Sequence, residues 1–331
     1  MTPRSGVVRL VGLGVLVVVV LVASIRIGAV PLSTLDVLLA LRGEGDSMVV
    51  AIVRQLRLPR AVVASLVGAA LAASGATFQA LLRNPLAEPY ILGVSGGAAV
   101  GAVSAIVLGI AARAAWIVPA AAFVGAIVAI VLVLRIAASV GRSLDTGILL
   151  LAGVVAGSFF NACILLALTL SDAESFRSAV FWMMGSFAGS SWSAAGLFAI
   201  YCVPAIVALV ALGRPLNLMA IGEETAAHLG TSVERVKLTA YGVASLLAAA
   251  AVAVSGVIGF VGLVMPHVVR LAWGNDYRFL VPASALLGAA FLTAADTVAR
   301  VAAAPTELPV GVVTAFVGVP FFVWLLRRRT A

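Results

Sequence analysis

An all-α polytopic membrane protein of about ten transmembrane helices is the fold class this sequence predicts, on three observations. Of its 331 residues, 63% are hydrophobic and 10% charged, against about 45–50% and about 25% in ordinary soluble domains. Mean hydropathy is +1.21. The apolar residues also gather into runs of about 20, the length that crosses a hydrocarbon core. So few charges cannot cover a soluble fold of this length. A cytoplasmic enzyme, a disordered chain and a secreted disulfide scaffold are thereby excluded.

The elements follow in order. The first run, 7–25, lies behind Arg4 and Arg9. It begins like a signal peptide, but it is long and has no clean small-x-small cleavage site, so it reads as a span. A polar stretch, 26–60, follows, with a short amphipathic piece at 35–41. Further spans read as 61–82, 91–112, 114–138, 147–170, 191–212, 237–254, 257–272, 279–298 and 310–326. No connection could hold a separate domain, so residues 1–331 read as one transmembrane domain. The longest cytoplasmic connection is 213–236.

Orientation comes from the cations. With the N-terminus inside, thirteen of the 21 Lys and Arg residues fall on the cytoplasmic side, Arg142 and Arg327 to Arg329 among them, and eight fall outside. Both termini are therefore expected in the cytoplasm. The stretch ASLVGAALAASG from Ala64 resembles ASLLAAAAVAVSG from Ala244, and each is followed by a phenylalanine and a proline. Five spans per half would make two inverted halves, a common transporter plan.

Several chemistries are missing from the sequence. Cys163 and Cys202 lie in apolar runs without metal-site or disulfide spacing. No catalytic motif or metal-ligand cluster is apparent, so no catalytic residue is expected. The arginines stand singly between apolar runs, which does not suit nucleic acid. An ion-coupled carrier buries carboxylates in its spans; here Asp296 stands near the end of one, with Arg300 a turn away. A phosphate-binding loop needs GxxxxGK and then Ser or Thr, yet the single lysine, Lys237, stands between Val236 and Leu238. ATP, if used, must be bound by another subunit.

Four segments carry the remaining signal. LRLPR, ending at Arg60, places Pro59 at a helix entrance, with Arg57 and Arg60 either snorkelling or docking an acidic partner. RNPLAEPYILGVSGGAAVGA follows; its Ser95, Gly96, Gly97 and Gly101 suit close helix packing or a discontinuous helix along a pathway. IGEETAAHLG sets two glutamates at a helix start and a glycine at its end, either as a solvated connector or as a contact for a cytoplasmic subunit. Last come SGVIGFVGLVMPHVVR, ADTVAR and ELPVGVVTAFVGVPFF, Gly- and Pro-interrupted spans that suit a wide passage.

In this order, from about Leu56 to Leu326, these segments resemble the FecCD/BtuC-like family of ABC importer permeases, which carry iron–siderophores, haem and cobalamin. The resemblance implies the type II ABC importer permease fold, working as a dimer (a homodimer here) with the pathway at the subunit interface. It implies two cytoplasmic ABC ATPases, which hold the ATP and magnesium, and an extracytoplasmic substrate-binding protein. It implies that Arg57, Arg60 and Arg300 receive acidic residues of that binding protein. Asn84 and Leu86, with Thr146 and Gly147 in a second loop, would form the cytoplasmic gate, Gly147 standing where a hydroxyl residue can occur. Gly222, Glu223, Ala226, Leu229 and Gly230 would form the element that couples to the ATPase. The cargo expected is a ferric siderophore, with cobalamin or haem as the alternative and an ion-coupled secondary carrier as a distant one. The location expected is the cytoplasmic (inner) membrane.

Overall fold

The computed structural model describes residues 3–28, 30–140 and 145–330. Arg142 lies outside the described residues, as do the side chains of Arg4, Arg328 and Arg329. The described residues are helical almost throughout. The helices are α1 (Pro3–Arg26), α2 (Thr34–Arg42), α3 (Ser47–Ala51), α4 (Leu58–Leu81), α5 (Val94–Val107), α6 (Ile117–Val140), α7 (Thr146–Thr169) and α8 (Ala173–Met183). They continue with α9 (Trp192–Ala211), α10 (Gly213–Ile221), α11 (Glu223–His228), α12 (Val233–Ser255), α13 (Val261–Trp273), α14 (Tyr277–Val301) and α15 (Val310–Thr330).

Each of the ten predicted spans falls on a helix, but not all are equally long. Seven are long and apolar enough to cross a membrane, while α5, α13 and α15 form a shorter apolar class among the described residues. The 13 residues of α13 reach about 20 Å, short of a hydrocarbon core of about 30 Å. The third span of each predicted half, α5 and α13, is a short one, and irregular backbone precedes both. This recurrence accords with two inverted halves.

The core is built around α4. Lipid offers no hydrophobic drive for helices to associate, so close backbone approach and polar contacts between helices hold them together. A Cβ on Gly75 would lie 1.9 Å from the Gly262 carbonyl oxygen, and one on Gly68 would lie 2.2 Å from that of Gly288. Those two glycines bring α13 and α14 against α4. The Ser74 hydroxyl donates to the Ala244 carbonyl of α12 at 3.0 Å, and Ser65 pairs with Thr293 of α14 at 2.7 Å. By contrast, α1, α6, α7 and α9 turn valine, leucine and isoleucine outward, as a lipid-facing ring would.

Two sequence expectations are corrected, and one helix is added that the sequence reading did not name. LRLPR does not open a helix: α3, a π-helical turn at Ile52–Arg57 and α4 form one continuous rod. Proline normally interrupts such a rod because it lacks an N–H. In the π register the carbonyl left without a donor by Pro59 is that of Arg54, and the Trp192 indole supplies one at 2.8 Å. The polar stretch after the fifth span holds a helix, α8, whose N-cap Asp172 accepts from the amides of Glu174 and Ser175, both at 2.9 Å. The connection at 213–236 holds two helices, α10 and α11, where one short helix was expected.

Candidate functional site

The three arginines of LRLPR and ADTVAR meet at one end of the bundle. Arg57 reaches back to the end of α1, where helix carbonyls lack intrahelical donors. Its guanidinium donates to the carbonyls of Ile25 at 2.9 Å and Arg26 at 3.0 Å, and to that of Val30. Gly28 leaves it room, since a Cβ there would lie 2.6 Å from Nη2. Arg60 is bidentate on Asp296, at 2.8 to 3.1 Å, and also binds Glu307 at 3.0 Å. Asp296, fully buried, also lies 3.3 Å from Nε of Arg300. Arg300 in turn donates to the Ser24 carbonyl and hydroxyl at 3.0 and 2.8 Å. The network stitches α1, α4 and α14 together. Buried charges persist only when paired and hydrogen-bonded, and here they are; Glu307 carries the most exposed charge of the set.

At the opposite end, the connection from α4 to α5 makes a tight loop. Arg83 takes a left-handed backbone at φ 47°. The Asn84 side chain accepts from the Leu86 amide at 2.9 Å, an Asx turn, and Leu86 is exposed. Thr146 opens α7 beneath the N-cap Asp145, which accepts from the Gly147 amide at 2.7 Å. A Cβ on Gly147 would lie 3.1 Å from that carboxylate and meet nothing else within 4 Å. No hydrogen bond or ion pair joins Asn84 or Leu86 to Thr146 or Gly147 among the described residues. The two loops are linked at one remove, by Gly93 lying against α7 at Gly153 and Ala156.

The small residues of α5 serve packing. A Cβ on Gly97 or Gly101 would collide with the backbone of α6, and one on Gly96 would press on Phe160 of α7. Ser95 is half-buried on the same helix.

The GEETAAHLG segment divides by face. Gly222, at φ 153°, joins α10 to α11, and Gly230, at φ 82°, ends α11 in a left-handed cap. Ala226 is fully buried beside Met219 and Val236, and Glu223 pairs with the enclosed Lys237. Leu229 and Ile221 point outward at 62% and 70% exposure. Just before this segment, Asn217 of α10 donates to Asp276 at 2.8 Å. The Arg278 guanidinium beside it holds the Asp276 carboxyl well below the usual carboxylate range.

A junction of irregular backbone was only partly legible in sequence. Gly185, Gly256 and Gly311 meet where α8, α12 and α15 begin or end. The Ser186 amide donates to the Ser255 carbonyl at 2.9 Å, and the amides of Val310 and Gly311 donate to Gly185 and Met184 at 3.1 Å. An apolar cavity of about 570 Å³ opens beside it, walled by Met184, Val257, Phe260, Phe316 and Val319. Glycine and proline inside apolar runs, as in SGVIG and ELPVG, were its signal. No group of three or more metal-ligating side chains occurs among the described residues. His267 is buried with its ring about 6 Å from those of Phe321 and Phe322.

Residues 16–328 match the FecCD transport family. The chain belongs to that family. It is 44% identical over 289 residues to the ABC transporter permease protein YvrB of Bacillus subtilis, covering 87% of this chain and 82% of the relative. It is 47% identical to the cobalamin import system permease protein BtuC of Halobacterium salinarum, over 84% of this chain and 74% of that one. Identity to the vitamin B12 import system permease protein BtuC of Salmonella paratyphi A is 43%, over 83% of each. Among solved structures, an inward-facing metal-chelate type ABC transporter superposes with a TM-score of 0.86 at 33% identity, covering 96% of this chain and 98% of its own. PsaBC from Streptococcus pneumoniae shares the fold at TM-score 0.54 and 16% identity, over 80% of this chain and 89% of its own. The protein is thus a multi-pass membrane permease of an ABC importer family for metal chelates and cobalamin. Proteins of this kind are translocation components.

Proposed function

We propose that this chain is the translocation subunit of an ATP-driven importer for a bulky metal chelate. It works with a second permease subunit, taken to be another copy, two cytoplasmic ABC ATPases that hold ATP and magnesium, and an extracytoplasmic binding protein. Both termini lie in the cytoplasm, which puts α11 toward the motor and the arginine network outside.

One observation carries the reading: the face of α11. In a chain with no phosphate-binding loop, a capped helix presents Leu229, with Ile221 beside it, away from the bundle. Exposed apolar side chains on a polar connection suit a partner's groove. The most enclosed carboxylates do not favour ion coupling, since Asp296 is held by arginines and Glu88 by a backbone amide. Arg57, Arg60 and Arg300 form the base of the docking rim, with Glu307 at its surface.

The apolar wall of the cavity and the likeness to cobalamin and vitamin B12 import permeases at 43–47% identity make cobalamin the first cargo to test, ahead of the ferric siderophore expected from sequence. The test is uptake by proteoliposomes holding permease, ATPase and binding protein. Labelled cobalamin should accumulate with ATP and be competed by unlabelled cobalamin, not by ferric siderophore. Competition in the opposite order replaces the cargo; no ligand-stimulated ATP hydrolysis with either removes the importer reading.

A further inference from the structure

The break before α13 packs against α4 and the connection from α4 to α5, where its backbone groups need partners. A helix N-terminus leaves four amides unsatisfied, and hydrocarbon offers no acceptor. Phe260 is the N-cap of α13, in a left-handed backbone at φ 71°, and no side-chain cap comes from its own position. The acceptor comes from 172 residues earlier in the chain: Glu88 Oε1, 2.7 Å from the Phe260 amide. Tyr90 holds the next turn of the break. Its hydroxyl donates to the Ile258 carbonyl and accepts from the Ile258 amide at 3.0 Å. Gln79, at the end of α4, adds contacts at 3.4 Å to the carbonyls of Ala87, Gly262 and Leu263.

The gripping residues belong to the loop that carries Asn84 and Leu86. The gripped segment runs along the apolar cavity: Phe260 lines it, as do Val257 and Gly259 on either side of the gripped Ile258. The Phe260 ring is seated so tightly on α15 that a Cβ at Gly318 would lie 2.4 Å from it. No cation pairs with Glu88 among the described residues. Its oxygen therefore answers to the amide it caps, where a carboxylate also meets the positive end of the helix.

We propose that Glu88 and Tyr90 are positioning residues for transport, tying the loop of Asn84 and Leu86 to the cavity wall Val257, Gly259 and Phe260 so that both shift as one body. The proposal rests on the importer reading and deepens it. Packing interfaces of this kind switch between discrete arrangements more readily than they stretch, so a rigid tie across the break converts loop movement into wall movement. Because only backbone groups are gripped on the α13 side, the tie depends on Glu88 and Tyr90 and is indifferent to the side chains of Ile258 and Phe260.

Two measurements test it. In proteoliposomes of the full complex, with cobalamin as the probe, Glu88→Ala is expected to lower the maximal uptake rate at least tenfold. The binding-protein concentration for half-maximal uptake should not change. Glu88→Gln, whose amide oxygen still accepts the Phe260 N–H, should recover most of the rate. Tyr90→Phe removes only the hydroxyl and should slow uptake severalfold if Glu88→Ala folds poorly. In the permease alone in nanodiscs, hydrogen exchange of the amides at 258–263 should quicken at least tenfold in Glu88→Ala and not in Glu88→Gln. Wild-type uptake in Glu88→Ala overturns the proposal, and so does a Gln variant as defective as the Ala variant. If the wild-type complex imports no cobalamin, the cargo reading fails; exchange then decides alone, and unchanged protection in Glu88→Ala overturns the tie.

Discussion

At one end of the molecule, Arg57, Arg60 and Arg300 are folded into the bundle with Asp296 entirely out of solvent; at the other, α11 holds Ala226 and Glu223 inward and turns Leu229 out. The charge at the first end satisfies the chain itself: α1 carbonyls, the Ser24 hydroxyl and two carboxylates. The second end spends one ion pair on holding α11 to α12 and leaves its apolar knobs unpartnered. The contrast separates residues that build a surface from residues that offer it. The arginine network fixes the shape of its end, and Glu307 is the most exposed charge it presents, whereas the α11 end leaves Leu229 and Ile221 as exposed apolar surface.

Substitution at the arginine end should unfold, and substitution on the α11 face should not. The largest effect belongs to Asp296→Ala, which leaves Arg60 and Arg300 buried without their shared carboxylate. Breaking such a pair costs about 3–5 kcal/mol; a sharp fall in folded yield and melting temperature in detergent is expected, and an unchanged melt would dissolve the contrast. Next comes Arg57→Gln, which removes charged donors from three carbonyls at about 1.5–3 kcal/mol for such a bond. Its melting temperature should fall before any docking measurement is made. An unaltered melt with weakened, salt-dependent binding-protein affinity would instead make Arg57 a docking residue.

Smaller in stability is Leu229→Glu, which should melt like wild type, as exposed substitutions stay within about 0.5 kcal/mol. The same variant should lose roughly tenfold in affinity for its ATPase, about 1.4 kcal/mol, read by co-purification; full retention would show that the α11 face is only a connector. Below that tenfold loss in affinity comes Glu223→Gln. Its partner Lys237 is enclosed but Glu223 is 30% exposed, so screening should hold the loss to about 1 kcal/mol or less. A larger drop in melt would place the α11 end in the same class as the arginine end.

Much of this was legible in the chain. The ten spans follow from apolar runs, because lipid forces every backbone group into a helix and every helix to a set length. The capped ends of α11 were readable from Glu223, Glu224 and Gly230, since capping is local chemistry. LRLPR misled because sequence shows Pro59 but not Trp192, whose indole lies 138 residues away and allows the rod to pass through the proline. The helix α8 went unread although its Asp172 start is a recognisable cap. The lengths of α5 and α13 were hidden for a similar reason: an apolar run looks the same whether it is helix or irregular backbone.

The sequence by itself determined that the chain crosses a membrane many times, that it carries no phosphate-binding-loop motif, and where its few charges stand along the chain. Those are properties of composition and local spacing. Only the tertiary structure decided what the charges touch. It put Asp296 between two arginines, gave Arg57 to the end of α1, and aimed Glu88 at an amide 172 residues away. The physical reason is that in a medium without water a polar group is defined by its partner, and partners are chosen by the packing of helices distant in sequence.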